Sequence, residues 1–320
     1  MSGRMGAGVT DQTMEMLGFV WRDVAEELIG SSTPLADYLY ENAAGALVLA
    51  EAKGSISNAA SQTGVNTRAR NAYHRQVDPY VYTHPPGPKG AASIGLIEHG
   101  YAVALAALPG PTTPSPPVIT ADAFLAVAET DPSLSSSPLG ASSGGGVTST
   151  TSSPNLPLKT PMYDPQRFAL RLGNYRGVFL LANAAAVVDA IDSVRLGREP
   201  ARRQTFLRVQ CGNEDFLIGL DPTFPPISAL EPYLRGWIFA IALSAADTFL
   251  DQLANASNPN FARAMQIHPL VQALADPPRP FLLSPDGFAM LRRDATVATH
   301  ELIWDAQSGS VERTIPHRQL

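Results

Sequence analysis

The sequence predicts an α/β fold: a mixed sheet near residues 36–108 with helices on its faces, followed by a second, mainly helical α+β region. Three observations carry that expectation. Leu35–Tyr40 and Ala46–Gly54 read as two strands joined by the turn Glu41–Gly45, because Asn and Gly both tolerate positive φ. Ala46–Ala50 is apolar without a break, as in a strand buried on both faces, and His99–Leu108 reads as another buried strand. Residues 10–29 repeat apolar side chains with a helical spacing.

Taken in order, residues 10–29 read as a helix capped by Thr10 or Asp11, with Met14, Leu17, Phe19, Val20, Trp21, Val24 and Leu28 as its apolar face. The hairpin comes next. Ser55–Val77 reads as a loop and then a helix carrying the basic cluster Arg68, Arg70, His74 and Arg75. Pro109-Gly110 ends the strand over 99–108. Residues 131–158 are rich in Ser, Thr, Gly and Pro and read as a flexible linker, since they cannot bury enough apolar surface to offset their ordering entropy. A short helix near Ala121–Glu129 interrupts the 110–161 stretch.

Beyond it, helices are expected at about 174–195, 228–254 and 260–274. Strands near 204–210 and 215–220 flank the turn Cys211–Glu214, and Phe288–Arg293 with Thr299–Trp304 suggest another hairpin. The expected division is therefore 1–110, a linker over 111–160, and 161–320.

Composition narrows the function classes. Charged residues make up 16% of the chain, below an average of about 25%. With a net charge of −6, no global field draws the protein onto nucleic acid, so such binding needs a local patch. Candidate patches are Arg68, Arg70 and Arg75, and the group Arg195, Arg198, Arg202, Arg203 and Arg208. The single cysteine, Cys211, excludes an internal disulfide and a cysteine zinc cluster. No run of about 18 apolar residues suggests a membrane span, and no leader is apparent. The expected setting is the cytoplasm, with no membrane partner.

The residues with the clearest chemistry are Asp37, Glu51 and Lys53. Asp37 opens one strand of the hairpin, and Glu51 and Lys53 close its partner. Two residues apart, Glu51 and Lys53 point to one face. Two carboxylates then converge with an ammonium, a set that suits a hard divalent cation beside a reacting water. The chain has only three lysines, Lys53, Lys89 and Lys159, and uses arginine elsewhere, which makes a lysine at this position more telling.

Asp37, a spacer of thirteen residues, and Glu51-Ala52-Lys53 resemble the signature of the PD-(D/E)xK nuclease superfamily over roughly residues 10–110. The usual proline before the aspartate is replaced by Ala36, with Pro34 two places earlier. The resemblance implies a restriction-endonuclease-like mixed sheet flanked by helices. It implies Mg2+ or Mn2+ held by Asp37, Glu51 and the Ala52 carbonyl, with catalysis by Asp37, Glu51 and Lys53. It also implies hydrolysis of a nucleic-acid phosphodiester, DNA first and RNA second, with Arg68, Arg70 and Arg75 on the phosphates. An acid of the first helix sometimes assists in this family; Glu15, Glu26 and Glu27 are available. Gln76 and Tyr80 have the Q-x-x-x-Y spacing that resembles the accessory motif of the RecB-like branch, although Pro79 lies between them. Two other readings stand beside this one: an inactive nuclease-like module for binding or assembly, and a two-domain partner-binding protein whose acidic residues form surface ion pairs.

Overall fold

In the computed structural model, residues 2–31, 33–57, 59–107, 123–129, 165–198, 203–220, 236–254, 279–306 and 309–319 are described. The first helix, α1 (Ser2–Met16), stops where Leu17 and Gly18 bond back to Thr13 and Glu15 and Gly18 takes φ +88°. The chain then restarts as strand β1 (Phe19–Val24). The helix expected over 10–29 is therefore two elements. Aromatic and β-branched residues dominate Phe19–Val24 and suit a pleated, half-buried surface better than a helix. Glu26 and Glu27 fall in a short helix, α2 (Ala25–Leu28).

Strands β2 (Tyr38–Asn42) and β3 (Leu47–Ile56) form the expected hairpin, with Tyr38 opposite Ala50 and Glu41 opposite Leu47. Its turn is closed by Asn42, whose side chain accepts from the Ala46 amide at 2.8 Å. Residues 47–51 of β3 are all buried. β3 then pairs in parallel with β4 (Ile97–Ala107), placing Glu51 beside Ala102 and Lys53 beside Ala104.

Parallel partners need a long crossover. Here it contains α3 (Gln62–Ala72), a π turn (Tyr73–Val77) and a 3-10 turn (Asp78–Tyr80). Ser61 caps α3 by accepting from the Gly64 amide, and Val65, Ala69 and Ala72 form its buried side. The π turn lies so close to β4 that a Cβ on Gly100 would stand 2.0 Å from Val77, so only glycine fits there.

Residues 123–129 form a strand, β5 (Ala123–Glu129), antiparallel to β4, and not the expected helix. Leu125 and Val127 are two apart, and both are about half exposed, as on one face of an edge strand. The first sheet is thus mixed, in the order β1-β2-β3-β4-β5. The segment 131–158 expected to be a linker lies outside the described residues.

The second half is dominated by a sheet, contrary to the mainly helical expectation. Its seven strands are β6 (Arg203–Cys211), β7 (Glu214–Gly219), β8 (Trp237–Ala242), β9 (Phe281–Leu283), β10 (Phe288–Arg292), β11 (Thr296–Asp305) and β12 (Gly309–Gln319). They pair antiparallel in the order β12-β11-β6-β7-β8-β10-β9. The β6–β7 hairpin is where the sequence put it. β10 and β11 are strands as expected but do not pair with each other, because the 3-10 turn Arg293–Ala295 sends them to different neighbours.

The helix expected over 174–195 is α4 (Pro165–Leu181) and α5 (Ala185–Arg195), parted at Asn183 with φ +60°. Of the helix expected at 228–254, the described part begins at 236: Trp237–Ala242 is instead β8, and Leu243–Ala254 is helical as α6. The helix expected over 260–274 lies outside them.

One apolar cluster joins both halves, with Trp21, Leu39, Leu47 and Leu49 of the first sheet packing with Tyr175, Phe179, Phe249 and Trp304. Polar contacts fix the same junction. Arg171 on α4 donates from Nε and Nη2 to the two oxygens of the buried Glu41, each at 3.0 Å, and its guanidinium lies 4.1 Å from the Trp21 ring. Asn174 accepts from the Arg22 amide and donates to Asp286, both at 3.0 Å. Arg195 reaches Asp23 and Glu27. Burial pushes the Asp23 carboxyl up to about 6 against the pull of Arg195.

A buried charge loses far more than an exposed one when its partner is removed. Arg171→Ala, which removes the bidentate guanidinium from the buried Glu41, should cost about 3–5 kcal/mol in urea unfolding. Arg292→Ala, in a pair whose two side chains are over half exposed, should cost at most about 1 kcal/mol. Equal losses would show that the Glu41 pair is not what seals the junction.

Candidate active site

Asp37 stands immediately before β2, exposed, and its carbonyl accepts from the Ala25 amide at 3.0 Å. Glu51 sits in mid β3 with no solvent exposure. The two are tied in both directions. The Asp37 amide donates to Glu51 Oε2 at 2.9 Å, and Asp37 Oδ2 accepts from the Ala52 amide at 3.0 Å. The Lys53 ammonium, about one third exposed, hydrogen-bonds Glu51 Oε1. The hairpin register therefore brings together Asp37, Glu51, Ala52 and Lys53, as the sequence suggested.

The electrostatics are those of an acid pair short of positive charge. Burial is the largest influence on Glu51 and pushes its carboxyl up to about 7; the neighbouring Asp37 adds to the rise, while Lys53 and the Asp37 amide oppose it. A carboxyl held this high is readily ionised by a bound cation. Two carboxylates and a backbone carbonyl are oxygen donors of the kind that Mg2+ and Mn2+ take, so the residues present fit such an ion. Among the described residues no group of three or more His, Cys, Asp or Glu side chains is arranged to hold a metal, and Asp37 with Glu51 supplies only two such side chains.

Arg68 and Arg70 on α3 and Arg75 in the π turn are all exposed, on the helical segment that packs against β4. His74 pairs with Asp78. Of the acids near the first helix, Glu27 bonds Arg195, whereas Glu15 on α1 and Glu26 on α2 are exposed. Of the second basic group, Arg195 is bound to Asp23 and Glu27 and Arg208 to Asp215, Arg198 and Arg203 are exposed, and Arg202 lies outside the described residues.

Residues 33–37 are held by Gln76, whose Nε2 donates to the Leu35 carbonyl at 3.1 Å, and by Tyr80, whose hydroxyl donates to the Thr33 carbonyl at 3.1 Å. Pro79 does not separate these two side chains, because it falls in the 3-10 turn after the π turn has ended. Their spacing was visible in the sequence; that both anchor the approach to Asp37 was not.

No family model, curated protein or solved structure matches the chain. No helix among the described residues is long and apolar enough to cross a membrane.

The Glu51 carboxyl makes stability depend on pH with a definite sign. Its folded pKa of about 7 lies above the ordinary 4.5, so it favours the fold below about pH 4.5 and that contribution is lost as the pH rises through 7. The gap corresponds to roughly 3 kcal/mol. E51Q and wild type should therefore differ little in denaturant melts at pH 4, and E51Q should be the more stable by roughly that amount at pH 8. A difference that does not change with pH would mean that Glu51 ionises freely in the fold.

Proposed function

We propose that this protein is a metal-dependent hydrolase of nucleic-acid phosphodiesters, with DNA as the first candidate substrate and a restriction-endonuclease-like core. The observation that carries the reading is the reciprocal tie between Asp37 and the Glu51–Ala52 segment, with Lys53 on the same carboxylate, in a buried strand of a mixed sheet flanked by helices. An ion pair on a solvated surface does not account for a glutamate with no exposure.

In this reading Asp37 and Glu51 hold Mg2+ or Mn2+ through their carboxylates, with the Ala52 carbonyl as a further ligand. The ion, when bound, supplies a Lewis acid for a phosphoryl oxygen and lowers the pKa of a water. The ammonium of Lys53 orients that water and stabilises the negative charge that develops on the phosphate. The Asp37 amide fixes one oxygen of Glu51 and the Ala52 amide one oxygen of Asp37, so neither carboxylate turns freely. Arg68, Arg70 and Arg75 contact phosphates, which gives affinity and orientation without reading bases.

Metal titration separates the three core residues. With Mn2+ at a hundred times its dissociation constant, wild type should gain about 2.7 kcal/mol of stability. Asp37→Ala and Glu51→Ala should lose that gain, whereas Lys53→Ala should keep it. All three should cut Mn2+-dependent cleavage of plasmid or oligonucleotide by roughly a hundredfold or more. Wild type that is neither stabilised by Mn2+ nor able to cleave DNA or RNA would shift the reading to an inactive nuclease-like module.

The arginines have their own signature. Arg68→Ala, Arg70→Ala and Arg75→Ala should each weaken DNA binding equally for all sequences and reduce the salt slope by about 1. An unchanged slope would remove that residue from the contact surface.

A further inference from the structure

Asp37 is carried by a stretch of chain with no ladder of its own. Residues 33–37 belong to neither helix nor strand, and Thr33, Pro34 and Asp37 are exposed. Backbone of this kind is ordinarily among the more mobile parts of a fold. Here it is pinned by side chains from a different part of the chain. Gln76 Nε2 donates to the Leu35 carbonyl at 3.1 Å, and Tyr80 donates to the Thr33 carbonyl at 3.1 Å while its hydroxyl also touches those of Ser31 and Thr33.

The anchors are themselves rigid. Val77, next to Gln76, has no exposure and lies against Gly100 of β4, where no side chain larger than hydrogen fits, and the Tyr80 side chain is buried. β4 is in turn the parallel neighbour of β3, which carries Glu51. A continuous set of contacts thus runs from β4 through Val77 and Gln76 to Leu35, two residues before Asp37, and returns to β3 where the Asp37 amide meets Glu51. The segment that makes this possible is a π turn, which carries one more residue than an α turn and so re-aims the residues after it; such turns are frequent at functional sites.

We propose that Gln76 is a positioning residue for Asp37: its amide fixes the Leu35 carbonyl, and through it the distance at which the Asp37 carboxylate faces Glu51, with Tyr80 as the second anchor of the same segment. Gln76 acts through Leu35 and need not touch substrate. The catalytic consequence rests on the nuclease reading, but the positioning itself does not.

The test is amide hydrogen exchange on the full chain, comparing wild type, Gln76→Met and Tyr80→Phe. Gln76→Met keeps the length of the side chain and removes its donor. Exchange at the Asp37 and Ala52 amides, which report the tie between the two acids, should speed up about fivefold, the effect of losing one ordinary hydrogen bond. Exchange at Leu302 in β11 should not change, which separates local release from general destabilisation. Tyr80→Phe, a milder change, should move the same two amides in the same direction, and it decides the matter if Gln76→Met fails to fold.

In Mn2+-dependent cleavage of plasmid, kcat of Gln76→Met should fall about tenfold with KM unchanged, since placement rather than binding is altered. Unchanged exchange at Asp37 and Ala52 would overturn the proposal whether or not the protein cleaves. Wild type that does not cleave would overturn the nuclease reading and leave the positioning role to be decided by exchange alone.

Discussion

A carboxylate with no solvent exposure, in the middle of a strand, constrains everything around it. Glu51 needs donors, and the structure supplies two, the Asp37 amide from the neighbouring strand entry and the Lys53 ammonium two residues along the same face, while the register keeps the two strands opposed. Each donor has a consequence. Using the Asp37 amide brings a second carboxylate alongside. Using Lys53 requires β3 to stay extended past the buried run. The parallel pairing with β4 then requires a crossover, and the crossover delivers α3 and the π turn to the same region.

The sequence made part of this legible and concealed the rest for identifiable reasons. Asp37, Glu51 and Lys53 could be placed because a hairpin is local: a two-residue period and a short Asn/Gly turn suffice to say which side chains meet. The apolar runs of β3 and β4 were equally plain. Phe19–Val24 was not, since aromatic and β-branched residues after a helical stretch satisfy either period, and the deciding feature was the positive φ of Gly18. Other elements were correct in kind but not in partner. β10 and β11 read as strands, and each pairs with a neighbour in sequence, β9 and β12, yet their other partners, β8 and β6, depend on contacts distant in sequence that no local pattern encodes. Asn183, which parts α4 from α5, donates to the Gly219 carbonyl of β7, so that break too is specified by the tertiary fold. The role of Gln76 was hidden for a further reason: an irregular turn shifts the helical phase, and spacing rules assume a regular one.

The two buried glutamates of the first sheet differ in a way that bears on where the site is proposed. Glu41 pairs with Leu47, and Leu47, Leu49 and Glu51 alternate along β3, so Glu41 and Glu51 share one face. Both have no exposure. Glu41 receives a bidentate guanidinium from α4, a planar donor matched to both of its oxygens, and so ties the second half of the chain to the first. Glu51 receives a single ammonium while a second carboxylate stands beside it, and burial holds its pKa near 7.

The same physical demand has therefore been met fully at one position and partly at the other. Where it is met, the result is a structural junction, and a further cation would have to displace an arginine. Where it is met only in part, the pair keeps a deficit of positive charge next to solvent at Asp37. In the proposed function a divalent ion would remove that deficit, and its binding would then stabilise the fold. That asymmetry, more than the match to a motif, is the physical reason to expect chemistry at Glu51 and none at Glu41.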